Sequence, residues 1–237
     1  MKKILLLFFV FISLAAKAQT VDEIIQQHAN TMGGLDNVKK LHSLKKTGIM
    51  SSQGAEFPIT IQVINNRAIR TDIEAMGDTM ITCYKDDKGW TINPFAGITT
   101  ATDITGSELA ELKSQTMIAS QLMDYKARGH QVELIKKDTV DNAIAYKIKL
   151  VNKESGKTTY YLIDSSTSLL IKLINIVVDN IGDEMEMATT FSDLKIFGDI
   201  KFMMTQTQTL GGQPIREIKF KTVELNVPID EKIFEKQ

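Results

Sequence analysis

Phe57-Pro58-Ile59-Thr60-Ile61-Gln62-Val63-Ile64-Asn65-Asn66-Arg67-Ala68-Ile69-Arg70-Thr71-Asp72-Ile73 is the stretch that decides the fold class. Phe57, Ile59, Ile61 and Val63 recur at every second residue, which puts them on one face of a β-strand, while Thr60 and Gln62 fall on the other. Asn65-Asn66 is a tight-turn signal, because asparagine tolerates left-handed backbone and bonds to its own main chain. Ala68 to Ile73 then reads as the return strand, so the unit is an antiparallel hairpin.

The same alternation continues in both directions. Upstream, the chain reads as strand from Leu44 onward. Before that, Thr20 and Glu23 have capping-box spacing, and Val21, Ile24, Ile25, His28 and Met32 follow at helical intervals up to Gly33-Gly34. Asp36 can cap a second short helix carrying Val38 and Leu41. Downstream, Thr79 to Tyr84 and Trp90 to Ile92 flank the turn Asp86-Asp87-Lys88-Gly89, and Asn93-Pro94 stops the second strand. Thr105 and Glu108 repeat the capping-box spacing and open one long internal helix with Leu109, Leu112, Ala119, Leu122 and Met123 on a face. Strands resume at Ala143 to Val151, Thr158 to Ile163, Leu169 to Val177 and Met185 to Phe191. Lys201 to Leu210 and Pro214 to Leu225 form a last pair around Gly211-Gly212. The expectation is a mainly β (α+β) domain of about ten or eleven strands in an antiparallel meander, with boundaries good to about ±2 to 4 residues.

Residues 1–18 do not belong to that domain. Met1-Lys2-Lys3 is a positive start, Ile4 to Leu14 is apolar, and Ala16-Lys17-Ala18 supplies small residues for a peptidase, so this segment reads as a cleavable secretory signal peptide cut before Gln19. The apolar run is about half of the ~20 residues needed to span a bilayer. Gln19, rather than a cysteine to carry lipid, becomes the new N-terminus, so the expectation is a periplasmic protein with no transmembrane segment after cleavage and a single domain over 19–237.

Charge and chemistry narrow the function classes. The 28 basic and 29 acidic residues are well mixed, which gives no electrostatic footprint for nucleic acid. Cys83 is the single cysteine, so no internal disulfide can form. His28, His42 and His130 are far apart and lack ligand spacing, and Asp183, Glu184 and Glu186 lack the order of a calcium loop. No nucleophile elbow, phosphate loop or dinucleotide fingerprint is present, so no catalytic residue, metal or cofactor is expected. The eleven methionines include Met76, Met80, Met117, Met123, Met185, Met187, Met203 and Met204. Such flexible, polarizable side chains fill gaps in cores and also line surfaces that accept apolar ligands.

Asp87-Lys88-Gly89-Trp90-Thr91-Ile92-Asn93-Pro94-Phe95 with Thr99 to Thr102 resembles a strand-and-loop segment of the periplasmic lipoprotein carrier family LolA. Glu23-Ile24-Ile25 through Gly33-Gly34, Leu44 to Met50, Tyr161-Leu162-Ile163-Asp164 with Leu169-Leu170-Ile171-Lys172, Phe191-Ser192-Asp193 with Lys201-Phe202, and Val223 to Asp230 with Phe234 are similar to the outer-membrane lipoprotein-sorting relatives of the Bacteroidetes type. The carrier's Arg-Pro pair has no counterpart in Ile64 to Arg70, where Arg67 and Arg70 stand nearest. The resemblance implies a strongly curved antiparallel half-barrel whose concave apolar face is covered by helices. It also implies a carrier for a lipophilic or acylated ligand such as the lipid part of a lipoprotein, with an outer-membrane receptor as one partner. On that reading Trp90, Phe95, Met117, Leu122 and Met123 belong to a cavity or its lid, and Phe57, Ile59 and Ile61 to a concave strand face. The alternative for these residues is sealed core, and for the protein an envelope interaction or chaperone module without lipid.

Overall fold

The computed structural model describes residues 19–178 and 182–237, so the expected signal peptide lies outside the described residues. Short-range chemistry sets the hairpins. Gln53-Gly54, Met76-Gly77, Asp86-Asp87, Asp141-Asn142 and Gly211-Gly212 all have positive φ at both residues, the backbone whose twist matches that of the flanking strands. The strands they join are β1 (Ser43–Ser52), β2 (Ala55–Ile64), β3 (Ala68–Ala75), β4 (Asp78–Lys85), β5 (Lys88–Asn93), β6 (Ile98–Ile104), β7 (Gln131–Val140), β8 (Ala143–Val151), β9 (Thr158–Asp164), β10 (Leu170–Val178), β11 (Glu184–Phe197), β12 (Ile200–Leu210) and β13 (Gln213–Leu225).

All thirteen strands form one antiparallel, curved and unclosed sheet in the order β6-β5-β4-β3-β2-β1-β13-β12-β11-β10-β9-β8-β7. Two meanders meet where β1 pairs with β13, from Leu44 opposite Leu225 to Ser51 opposite Glu217. The pairing tightens at Gly48, where a Cβ would stand 2.3 Å from the Lys219 carbonyl oxygen, so only glycine fits. The free edges are β6 and β7, and the chain must travel from one to the other between residues 105 and 130.

That connection supplies part of the lid. Helix α3 (Gly106–Gln115) and helix α4 (Tyr125–Arg128) lie in it, while α1 (Val21–Thr31) and α2 (Leu35–Lys39) come from the N-terminal side. Leu109 and Leu112 of α3 pack on Leu44, Val63, Ile69, Tyr84 and Phe220. Ile24 and Ile25 of α1, with Leu122 and Tyr125, pack on Ile148, Leu150, Tyr161 and Ile163. Strand register puts all of these sheet residues on one face, the concave one. The opposite face has a core of its own, in which Ala68, Ile81, Cys83 and Trp90 are capped by Phe234 from the C-terminal tail.

Two expectations change. There are two strands more than the eleven expected, β6 and β7; both are edges, where one side of the strand meets solvent and charged or short polar residues replace the apolar alternation. The single long internal helix is instead broken: α3 stops at Gln115, and Thr105 makes no side-chain cap bond. The cause is competition from the β2–β3 turn. Asn66 donates its backbone N–H to the Thr116 carbonyl at 3.0 Å, and Asn65 Oδ1 accepts from the Ile118 N–H at 3.1 Å, so these groups leave the helical ladder.

Candidate functional site: a half-covered apolar groove

Alternation along each strand and pairing between strands build rows across the concave face. One row runs Phe57, Met50, Ile218, Gln206, Phe191 through β2, β1, β13, β12 and β11. A second runs Met80, Ile73, Ile59 and then Gly48. A third sets Thr71, Ile61, Lys46 and Val223 side by side. The helices cover the third row and leave much of the first open. Ile59 is buried, with Phe57, Ile61, Met80 and Ile218 half-buried around it.

Two cavities mark the ends of this strip. At the uncovered end, Met50, Phe57, Ile73, Ala75, Met76, Met80 and Phe95 enclose about 150 Å³, and every lining residue is apolar. Met76 is 92% exposed and Phe95 51% exposed there, an apolar rim turned to solvent. At the covered end, about 180 Å³ lies among His28, Met32, Lys46, Met123, Phe191, Phe202 and Gln206, beneath α1 and the crossover. Between them, Ile61 and Ile218 pack against the core clusters on both sides.

The lid is held by polar contacts at its margins. The Tyr125 hydroxyl donates to the Asp22 carboxylate, Lys126 Nζ reaches the same group at 2.6 Å, and together they hold that carboxyl below its usual range. Lys39 of α2 pairs with Asp124 at 2.7 Å. Lys201 donates its N–H to the Met32 carbonyl at 3.0 Å, and a Cβ at Gly33 would stand 2.2 Å from the Asp199 oxygen, so α1 ends flush against the β11–β12 turn. His28, buried in α1, stands 2.9 Å from the Ser168 carbonyl through Nδ1; since a carbonyl only accepts, Nδ1 carries the proton, and burial lowers the imidazole's pKa.

Lys46 is the odd residue of the strip. It is in phase with Leu44 and Met50 on β1, so it projects from the concave face, with Nζ 4.2 Å from the centre of the Phe220 ring. Burial pushes its ammonium down to about 8. Burial pushes the Cys83 thiol up to about 12, and among the described residues no group of three or more His, Cys, Asp or Glu stands where a metal could be held.

The sequence-derived site residues separate. Phe57, Ile59, Ile61 and Phe95 share the strip or its rim, and Met123 lines its covered cavity. Leu122 is 0% exposed in the sealed core under α1. Met117 lines a different and polar cleft with Glu111, Arg128 and Lys157. Trp90 lies on the convex face, where its Nε1–H donates to the Phe234 carbonyl at 3.1 Å, so it touches no part of the groove. Its segment has the expected strand and turn, but register with Cys83 turns the ring outward. Arg67 and Arg70 bind the tail on that same side, Arg67 through Glu231 and Arg70 through the Ile233 carbonyl, while each also pairs with a carboxylate of the sheet or its turns, Asp86 and Asp72 respectively. Met50, Ile73 and Lys46 were not among the sequence-derived residues. The signal for Lys46 was present in its two-residue phase with Leu44, though a lysine in a strand is ordinarily read as solvent-facing.

Among the described residues, no helix is long and apolar enough to cross a membrane. No protein-family model matches the sequence, and no curated protein matches it. Solved structures do match in fold. A structure described as an outer membrane lipoprotein-sorting protein domain from Vibrio parahaemolyticus superposes with a TM-score of 0.59 at 11% identity, over 91% of this chain and 95% of that one. A LolA superfamily protein from Nitrosomonas europaea gives 0.59 at 13% identity, over 92% and 99%. A DUF1329 family protein from Desulfovibrio piger gives 0.58 at 14%, over 92% and 98%. This chain therefore has the LolA-like fold, an unclosed curved antiparallel sheet with helices laid across its concave face.

Proposed function

We propose that this chain is a periplasmic carrier or binding protein for an acylated or otherwise lipophilic ligand, acting by apolar contact and without catalysis. The observation that carries the reading is the in-phase apolar strip Phe57, Ile59 and Ile61, with an all-apolar cavity and an exposed Met76–Phe95 rim at its open end. A folded protein gains little from leaving such a strip part-open, whereas each CH₂ transferred to it from water is worth about 0.8 kcal/mol. Methionines at the rim adapt to chains of different shape. The likeness in fold to a lipoprotein-sorting domain supports the same reading, and the receiving partner would then be an outer-membrane receptor. Export through a signal peptide ending at Ala18 is in keeping with this location, and Gln19, the first described residue, is already tied to the domain by the Tyr146 hydroxyl at 2.7 Å.

The test is direct. The purified chain, extracted with organic solvent and examined by mass spectrometry, should yield bound lipid, and after delipidation it should bind cis-parinaric acid or its methyl ester saturably. Neither lipid nor saturable probe binding would end the carrier reading in favour of a polypeptide-docking module.

A further inference from the structure

Resting on that reading of the groove, we propose that its ligand is a single-chain anionic amphiphile, a long-chain fatty acid, whose carboxylate pairs with Lys46 and whose tail follows Ile61, Ile59 and Phe57 to the open end. The Lys46 ammonium makes no ion pair and no hydrogen bond among the described residues; it lies over the face of Phe220. The cavity it enters is lined by His28, Lys201 and Gln206 as well, and by no aspartate or glutamate. A cation held among apolar groups without a counter-ion is costly, and the cost is relieved when an anion arrives with it. Burial leaves the amine with a pKa of about 8, so at pH 7 it is still mostly charged and lacks only the partner.

Size and direction select the class. The cavities at the two ends hold about 180 and 150 Å³, each below the roughly 300–1,000 Å³ of a drug-sized pocket, which suits one slender chain rather than a bundle of several. From Lys46 to the Met50–Phe57 row the strand advances four residues, about 13 Å, along apolar side chains only on the β2 side. A head at Lys46 therefore leaves the tail a path toward Phe57 and Met80, whereas the open end offers a carboxylate water but no cation.

The experiment compares cis-parinaric acid with its methyl ester, which differs only in the charge, on the full mature chain and on Lys46→Met and Lys46→Arg. The wild type should favour the acid by about tenfold, the increment of one charge-assisted bond. Lys46→Met should bring the two probes to near-equal affinity, with circular dichroism and a thermal melt showing that the variant is folded, and Lys46→Arg should keep the preference. An acid preference that survives in Lys46→Met, or a wild type that binds both probes alike, overturns the head-group assignment and leaves the lipophilic groove standing. Binding of neither probe overturns the groove itself.

Discussion

Leu122 and Phe57 are both large apolar side chains on the concave side of the sheet, yet Leu122 is 0% exposed among Ile24, Ile148 and Ile163, whereas Phe57 stays half-exposed near Met76 and Phe95. Composition does not separate the two regions. What separates them is reach: α1 and the crossover pack over one end of the sheet, whereas at the tips of β2 and β3 the cavity is closed only by Phe95 and the strand side chains. Burial at the covered end stabilises the fold, and exposure at the open end leaves apolar surface with affinity to spare.

Substitutions at matched sites should pull these roles apart. Leu122→Ala removes a fully buried side chain from the covered end, and chemical denaturation should show a loss of about 2–5 kcal/mol with acyl-probe affinity nearly unchanged. If probe binding fell in proportion while stability held, Leu122 would belong to the groove. Phe57→Ala should do the reverse. It truncates a half-exposed residue, so stability should drop by about 1 kcal/mol or less, while probe affinity falls several-fold. A cost near that of Leu122→Ala would mean the open end is core as well.

The smallest effect concerns the seam between the regions, where His28 fixes α1 to the β9–β10 turn. Its folded pKa lies below the ordinary 6.5, so the unfolded chain takes up a proton first as pH falls. The neutral imidazole's contribution is complete above about pH 6.5 and is lost as the solution is acidified below it. Thermal melts from pH 7.5 to 5 should show this decline, and His28→Gln should flatten it. An unchanged profile in the variant would assign the acid sensitivity to other groups.

Much of this was legible in the sequence because it is local. Turn residues and two-residue alternation mark all the strands but the two edges before any packing is considered, and the phase of Phe57, Ile59 and Ile61 is a strand property that survives folding. The readings that changed all depend on partners distant in sequence. Trp90 is apolar and in a strand, but only the arrival of Phe234 decides which face is its core. The helix break at Thr116 is written in Asn65 and Asn66, some fifty residues earlier. The edge strands β6 and β7 show weak patterns because half of each pairs with nothing.

The crossover between those edges also makes the sheet a strung bow. The limbs are the two meanders, and the string is the covalent stretch from residue 105 to residue 130 that ties limb tip to limb tip. Part of its length is stored in the ten residues of α3: coiled at about 1.5 Å per residue and drawn out at about 3.3 Å, they would release roughly 18 Å. Unwinding that one short helix would give the two edges of the trough that much more tether.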